Sequence, residues 1–147
     1  MHAFPHRYSV SAAAVVEGDV TLEGERLPSL HSAPPTEFGG PGDRWSPETL
    51  LVAAVADCFV LTFRSIAHLS RLPWISVTCD VEGVVDRLER VTQFTGFVVR
   101  ARLRVPAGTN EEQARRLLAK AEDTCLVTNS LKVKAHLEIE IEVAPAV

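Results

Sequence analysis

Residues 46–59, SPETLLVAAVADCF, are apolar nearly all the way round, apart from Asp57 and the thiol of Cys58 beside it. Ser46 is a helix-capping residue, Pro47 fills a first helical position whose N–H is not needed, and Glu48 suits the positive end of the helix dipole. The pattern predicts a helix from Pro47 running about six turns to roughly Ser70, where Arg71-Leu72-Pro73 stops it. A helix apolar on all sides must be covered on all sides. One small sheet cannot do that, so a second copy of the chain is expected to cover part of it, giving a homodimer.

The flanking segments are built differently. Tyr8–Val16 alternates, Glu17-Gly18-Asp19 supplies turn residues and Val20–Leu22 resumes, which predicts a hairpin. The stretch 32–43, SAPPTEFGGPGD, concentrates Pro and Gly and is expected as a loop. Beyond the helix, Ile75–Val85 places Ile75, Val77, Cys79 and Val81 on one face, and Phe94–Val105 sets Val99, Ala101, Leu103 and Val105 against Arg100, Arg102 and Arg104. The polar stretch from Asp86 to Gln93 joins these two strands. Asn110 caps a second helix with a stripe of Ala114, Leu117, Leu118 and Ala121. The run LEIEIEV then directs Leu137, Ile139, Ile141 and Val143 inward and three glutamates to water. This order predicts an α+β domain spanning 1–147, with antiparallel sheets packed on a long central apolar helix.

Composition narrows the function. The chain has 147 residues, 46% of them hydrophobic and 23% charged, enough to bury a core without staples. A net charge of -4, with basic residues spread along the chain, excludes the electrostatic footprint of a nucleic-acid binder. The apolar stretch Leu50–Phe63 is short for a membrane span and the N-terminal MHAFPHRYSV lacks a signal-like apolar region, so a cytoplasmic protein with no membrane partner is expected. Three cysteines, 58, 79 and 125, without a CxxC pair do not make a disulfide scaffold or a zinc ribbon. His31, His68 and His136 fall on separate elements, so neither a metal nor a cofactor is expected.

Cys58 would lie about three turns into its helix, beyond the reach of the dipole. Burial alone would raise its pKa, so a reactive thiolate there needs a nearby cation. An inert core thiol fits the pattern equally well. Cys79, on an inward strand face, is expected to be structural, and the Arg100, Arg102, Arg104 ladder to be a solvated face.

Two strings carry a family resemblance. SPETLLVAAVADCF resembles the Asn-Pro-Glu-x-Leu…Ala-x-Cys-Phe signature of the osmotically inducible/organic hydroperoxide resistance (OsmC/Ohr) family, and TCLVTNSL resembles that family's second motif. The resemblance implies a swapped homodimer with two interface active sites. It also implies Cys58 as the peroxidatic cysteine, Cys125 as the resolving cysteine, and Glu48 as the residue orienting an arginine toward the thiolate. Where the hydroperoxide branch has an arginine in the N-terminal hairpin turn, this chain has Glu17-Gly18-Asp19. The expected arginine is then Arg44, just before the helix, with Arg26 the weaker candidate. The implied chemistry is reduction of an organic hydroperoxide through a Cys58 sulfenic acid and a Cys58–Cys125 disulfide, reopened by a dithiol of lipoyl or thioredoxin type. The alternative expectation is a non-catalytic module of the same fold binding a small apolar ligand at the dimer interface.

Overall fold

The computed structural model covers residues 1–147, which form two compact units, Met1–Leu51 and Val52–Val147. In the first, β1 (Ser11–Ala13), β2 (Val20–Glu23) and β3 (Leu30–Ser32) form an antiparallel sheet in that order. The hairpin turn passes through Gly18 at φ 102°, a conformation that favours glycine. Its first strand is shorter than the alternation predicted: only Ser11–Ala13 pairs, opposite Thr21–Glu23, while Tyr8, Val10, Val15 and Val16 are exposed. β3 was not expected, because three residues are too few to show a period of two. The Pro/Gly-rich stretch is a loop holding a single 3-10 turn at Thr36–Phe38.

The loop ends in a clamp. Ser32 bridges Trp45, and the Ala33 amide donates to the Trp45 carbonyl at 2.9 Å. Ser46 then caps α1 (Pro47–Leu69) by a reciprocal pair: its hydroxyl accepts from the Thr49 amide at 3.1 Å, and Thr49 Oγ1 accepts from the Ser46 amide at 2.8 Å.

In the second unit, β4 (Ser76–Leu88), β5 (Val91–Val105) and β6 (Ala135–Val143) form one sheet with β5 central. β4 and β5 pair along their full length around a two-residue turn, Glu89-Arg90, with φ values of 49° and 70°. Both turn residues are left-handed, as a tight hairpin demands. The strands therefore extend further into the Asp86–Gln93 stretch than its polarity suggested. A Cβ at Gly83 would come within 2.8 Å of the Phe94 ring and 2.9 Å of the Val52 side chain, so any larger residue there would displace them.

One part of the expected architecture is corrected. β6 runs parallel to β5, so this sheet is mixed and not antiparallel. After β5 the chain crosses through α2 (Glu111–Asp123) and the short α3 (Leu126–Asn129) and re-enters in the same direction, which a connection of this length permits. Asn110 caps α2 by accepting from the Gln113 amide at 3.0 Å, and Ala114, Leu117, Leu118 and Ala121 are buried, the stripe read from the sequence.

The core joins Val99, Ala101, Leu103 and Val105 of β5 to Val55, Phe59, Phe63 and Ala67 of α1. The latter recur every four residues and lie on one helix face. Phe63 meets Trp74 edge to face at 5.6 Å. By length and composition this 23-residue helix could cross a membrane, but its fully buried stripe belongs to the unit's own core. Leu61 and Leu69, in contrast, stay exposed. On the other sheet face Arg100, Arg102 and Arg104 reach Glu138, Glu140 and Glu142 at 3.1, 3.2 and 3.5 Å. These half-exposed pairs contribute little individually.

Candidate active site at a thiol pair

Cys58 and Cys125 come together within the second unit. Cys58 lies on α1 one turn before Thr62, and its sulfur is 3.9 Å from the Thr62 hydroxyl. Cys125 follows the end of α2 and is the N-cap residue of α3, where its carbonyl accepts from the Asn129 amide at 2.9 Å. The Cys125 side chain is fully buried, and the buried Thr128 hydroxyl donates to its sulfur at 3.3 Å. Both cysteines are free thiols.

The two sulfurs lie in unequal environments. Burial pushes the Cys58 thiol up, but the Val127 amide, the Cys125 thiol, the Thr62 hydroxyl and the Leu126 amide outweigh it, and the thiol sits below its ordinary value. Burial pushes Cys125 up. The Thr128 hydroxyl and amide oppose that only in part, while the Cys58 sulfur reinforces it, so Cys125 sits above its ordinary value. Asp57 is exposed to solvent and does not figure among these influences.

The sequence points to a cation for Cys58, but not to the amides of Leu126 and Val127 in the first turn of α3, which favour its thiolate. That four-residue helix has no periodicity to reveal it. The one available signal was the cysteine before a short apolar and Thr-Asn run, since a residue capping a helix turns the following N–H groups outward.

The other expected site residues lie in the first unit. Arg44 Nε donates to Asp19 Oδ2 at 2.8 Å, and Nη1 is 3.5 Å from the Asp43 carboxylate. The hydrogen bond and charge of Asp19, then the charge of Asp43, push the guanidinium pKa still higher. Asp19 occupies the hairpin turn flagged for its lack of an arginine. Glu48 Oε2 is buried without a hydrogen-bond partner. Its residue helps to line an apolar cavity of about 440 Å³ with Ala12, Leu22, Pro34, Phe38 and Leu50. Arg26 adopts a left-handed backbone in the β2–β3 turn, at φ 62°.

Cys79 faces the inner side of β4, half-buried between Val77 and Val81. Burial, followed by the charges of Asp80, Glu122 and Cys125, pushes its thiol up to about 12. A thiol held this firmly protonated is a poor nucleophile, in keeping with a structural role.

The fold has known counterparts. A family model described as OsmC-like protein matches residues 40–142, and the chain belongs to that family. A sequence relative, the uncharacterized protein YmaD of Bacillus subtilis (strain 168), is 25% identical over 126 residues, 84% of this chain and 83% of that one. An OsmC-like protein of unknown function from Vibrio cholerae has the same fold, with a TM-score of 0.84 at 20% identity over 92% of this chain and 99% of that one. An organic hydroperoxide resistance protein OsmC from Legionella pneumophila superposes with a TM-score of 0.75 at 25% identity, over 96% of this chain and 100% of that one.

Proposed function

We propose that the protein is a cysteine peroxidase for organic hydroperoxides. The observation that carries this reading is a pair of free thiols, Cys58 on α1 and Cys125 at the cap of α3, near enough to influence each other, the first held low and the second high. Cys58 thiolate attacks the distal peroxide oxygen, the alcohol leaves, and the resulting sulfenic acid condenses with Cys125, releasing water and forming a disulfide. A dithiol of lipoyl or thioredoxin type returns both cysteines to the reduced state. Arg44 is proposed as the guanidinium that further stabilises the Cys58 thiolate, with Glu48 orienting it. The working form is proposed to be a homodimer, in which the second copy covers the exposed apolar positions of α1, and the proposed setting is the cytoplasm. Kinship with a protein described as an organic hydroperoxide resistance protein supports the substrate class.

A second reading rests on the apolar cavity beside Glu48: the same fold binding a small apolar ligand without turnover. Stoichiometry separates the two. A peroxidase without reductant consumes about one cumene hydroperoxide per reduced chain and releases the alcohol, because each chain holds one such thiol pair. A binder leaves the peroxide intact, and that outcome would remove the enzymatic reading.

A further inference from the structure

We propose that the dithiol reductant enters the Cys58–Cys125 disulfide at the Cys58 sulfur, and that Thr128 positions the Cys125 sulfur as it leaves. This inference rests on the peroxidase reading and adds the direction of its reductive half.

A thiolate cleaves a disulfide by approaching one sulfur from the side opposite the S–S bond. Cys125 offers no such approach. It is 0% exposed within its own chain, so association with any further chain can only deepen its burial. Cys58 is only partly buried within its own chain and is the more open of the two. Leaving-group chemistry opposes this order, because the thiol of lower pKa leaves faster. That preference is worth on the order of tenfold in rate for a modest difference between the two thiols. Local opening to expose a core sulfur suppresses reaction by roughly several orders of magnitude. Access therefore decides.

The structure also provides for the awkward leaving group. Thr128, 6% exposed, donates its hydroxyl to the Cys125 sulfur at 3.3 Å. Its own amide lies close enough to favour the anion as well. One thiolate of the reductant bonds to Cys58 Sγ, the Cys58–Cys125 bond breaks, and its electron pair leaves on Cys125 Sγ, which then takes a proton. The second thiol of the reductant loses its proton, closes on the first sulfur and expels Cys58 as thiolate. Two electrons pass from the dithiol to the protein disulfide.

The test uses the full chain carrying Cys79→Ser, oxidised with one equivalent of cumene hydroperoxide. Limiting 2-mercaptoethanol is added, the mixture is quenched into iodoacetamide in guanidinium, and the cysteine peptides are mapped. Mercaptoethanol on Cys58 with alkylated Cys125 is the expected pattern, and mercaptoethanol on Cys125 overturns the proposal. If no Cys58–Cys125 disulfide forms in the first step, the peroxidase reading itself fails and the proposal falls with it. In parallel, Thr128→Val should slow reduction of the disulfide by dihydrolipoamide about tenfold, the effect of one hydrogen bond to a developing anion. Thr128→Ser should recover most of that loss. A Val variant reduced at the unmutated rate, or a Ser variant as slow as Val, would show that the hydroxyl has no part in the step.

Discussion

Cys58 and Cys125 lie near enough for each sulfur to influence the other's ionisation, yet one is held below and the other above the ordinary value of a thiol. The asymmetry comes from position: Cys58 faces two amides at the start of α3, whereas Cys125 is the more deeply buried and relies on Thr128. Under the proposed function, the low thiol attacks and the high thiol resolves.

Alkylation rates should follow from this division. In reduced protein Cys58 should be the fastest cysteine to react with iodoacetamide near neutral pH, with a midpoint below the free-thiol value of about 8.5. Arg44→Ala should raise that midpoint and slow peroxide reduction roughly tenfold, about the effect of one pKa unit. Glu48→Ala should act the same way more weakly. A midpoint unmoved in Arg44→Ala would leave the α3 amides as the activating groups and remove Arg44 from the site.

Loss of the proposed resolving thiol should separate the two halves of the proposed reaction. Cys125→Ser should reduce its first equivalent of peroxide and then accumulate Cys58 sulfenic acid, which over-oxidises with excess peroxide. Trapping with a dimedone-type reagent reads the sulfenic acid. Unlabelled Cys58 with continued turnover in that variant would assign resolution to another thiol.

Cys79 should reveal itself through stability. In the unfolded chain this thiol ionises near 8.5, but the folded protein keeps it protonated to about 12. The raised folded value contributes nothing against the protein below about 8.5, and as pH rises from there the unfolded state loses its proton first and is favoured. The expected slope is at most about 1.4 kcal/mol per pH unit, trimmed by partial solvent access. Chemical denaturation of Cys79→Ala between pH 8 and 10 should show a shallower decline than the unmutated protein. Equal slopes would mean that Cys79 is not held protonated.

The exposed apolar positions of α1 carry the expectation of assembly. Leu61 is 50% and Leu69 79% exposed on a helix whose other face is core. Light scattering at micromolar concentration should give twice the 16.0 kDa chain mass. A monomer of native helicity would contradict the proposed homodimer.

Legibility in the sequence followed the length of each pattern. The 23-residue α1, with its Ser46 cap and Pro47 start, ends one residue from the position expected, and the buried stripe of α2 is the one read from spacing. Shorter elements escaped: β3 and α3 have three and four residues and no period to read. The parallel placement of β6 was hidden for another reason, since alternation marks which side chains face inward and not which way the strand runs. Val143, expected inward, is 44% exposed because it ends the strand. At the site, the two cysteine-bearing strings were visible as motifs. The amides of Leu126 and Val127 were not, because backbone donors leave no mark in residue identity. The Asp19 partner of Arg44 lies 25 residues away in sequence, and only the fold brings them together.

The proposed peroxidase requires that peroxide join Cys58 to Cys125. Intact mass of the reduced protein, recorded after one equivalent of cumene hydroperoxide and without added thiol, should fall by the mass of two hydrogens. Peptide mapping should place the new bond between residues 58 and 125 with Cys79 still free. An unchanged mass, a gain of oxygen on unjoined Cys58, or a bond through Cys79 would contradict it.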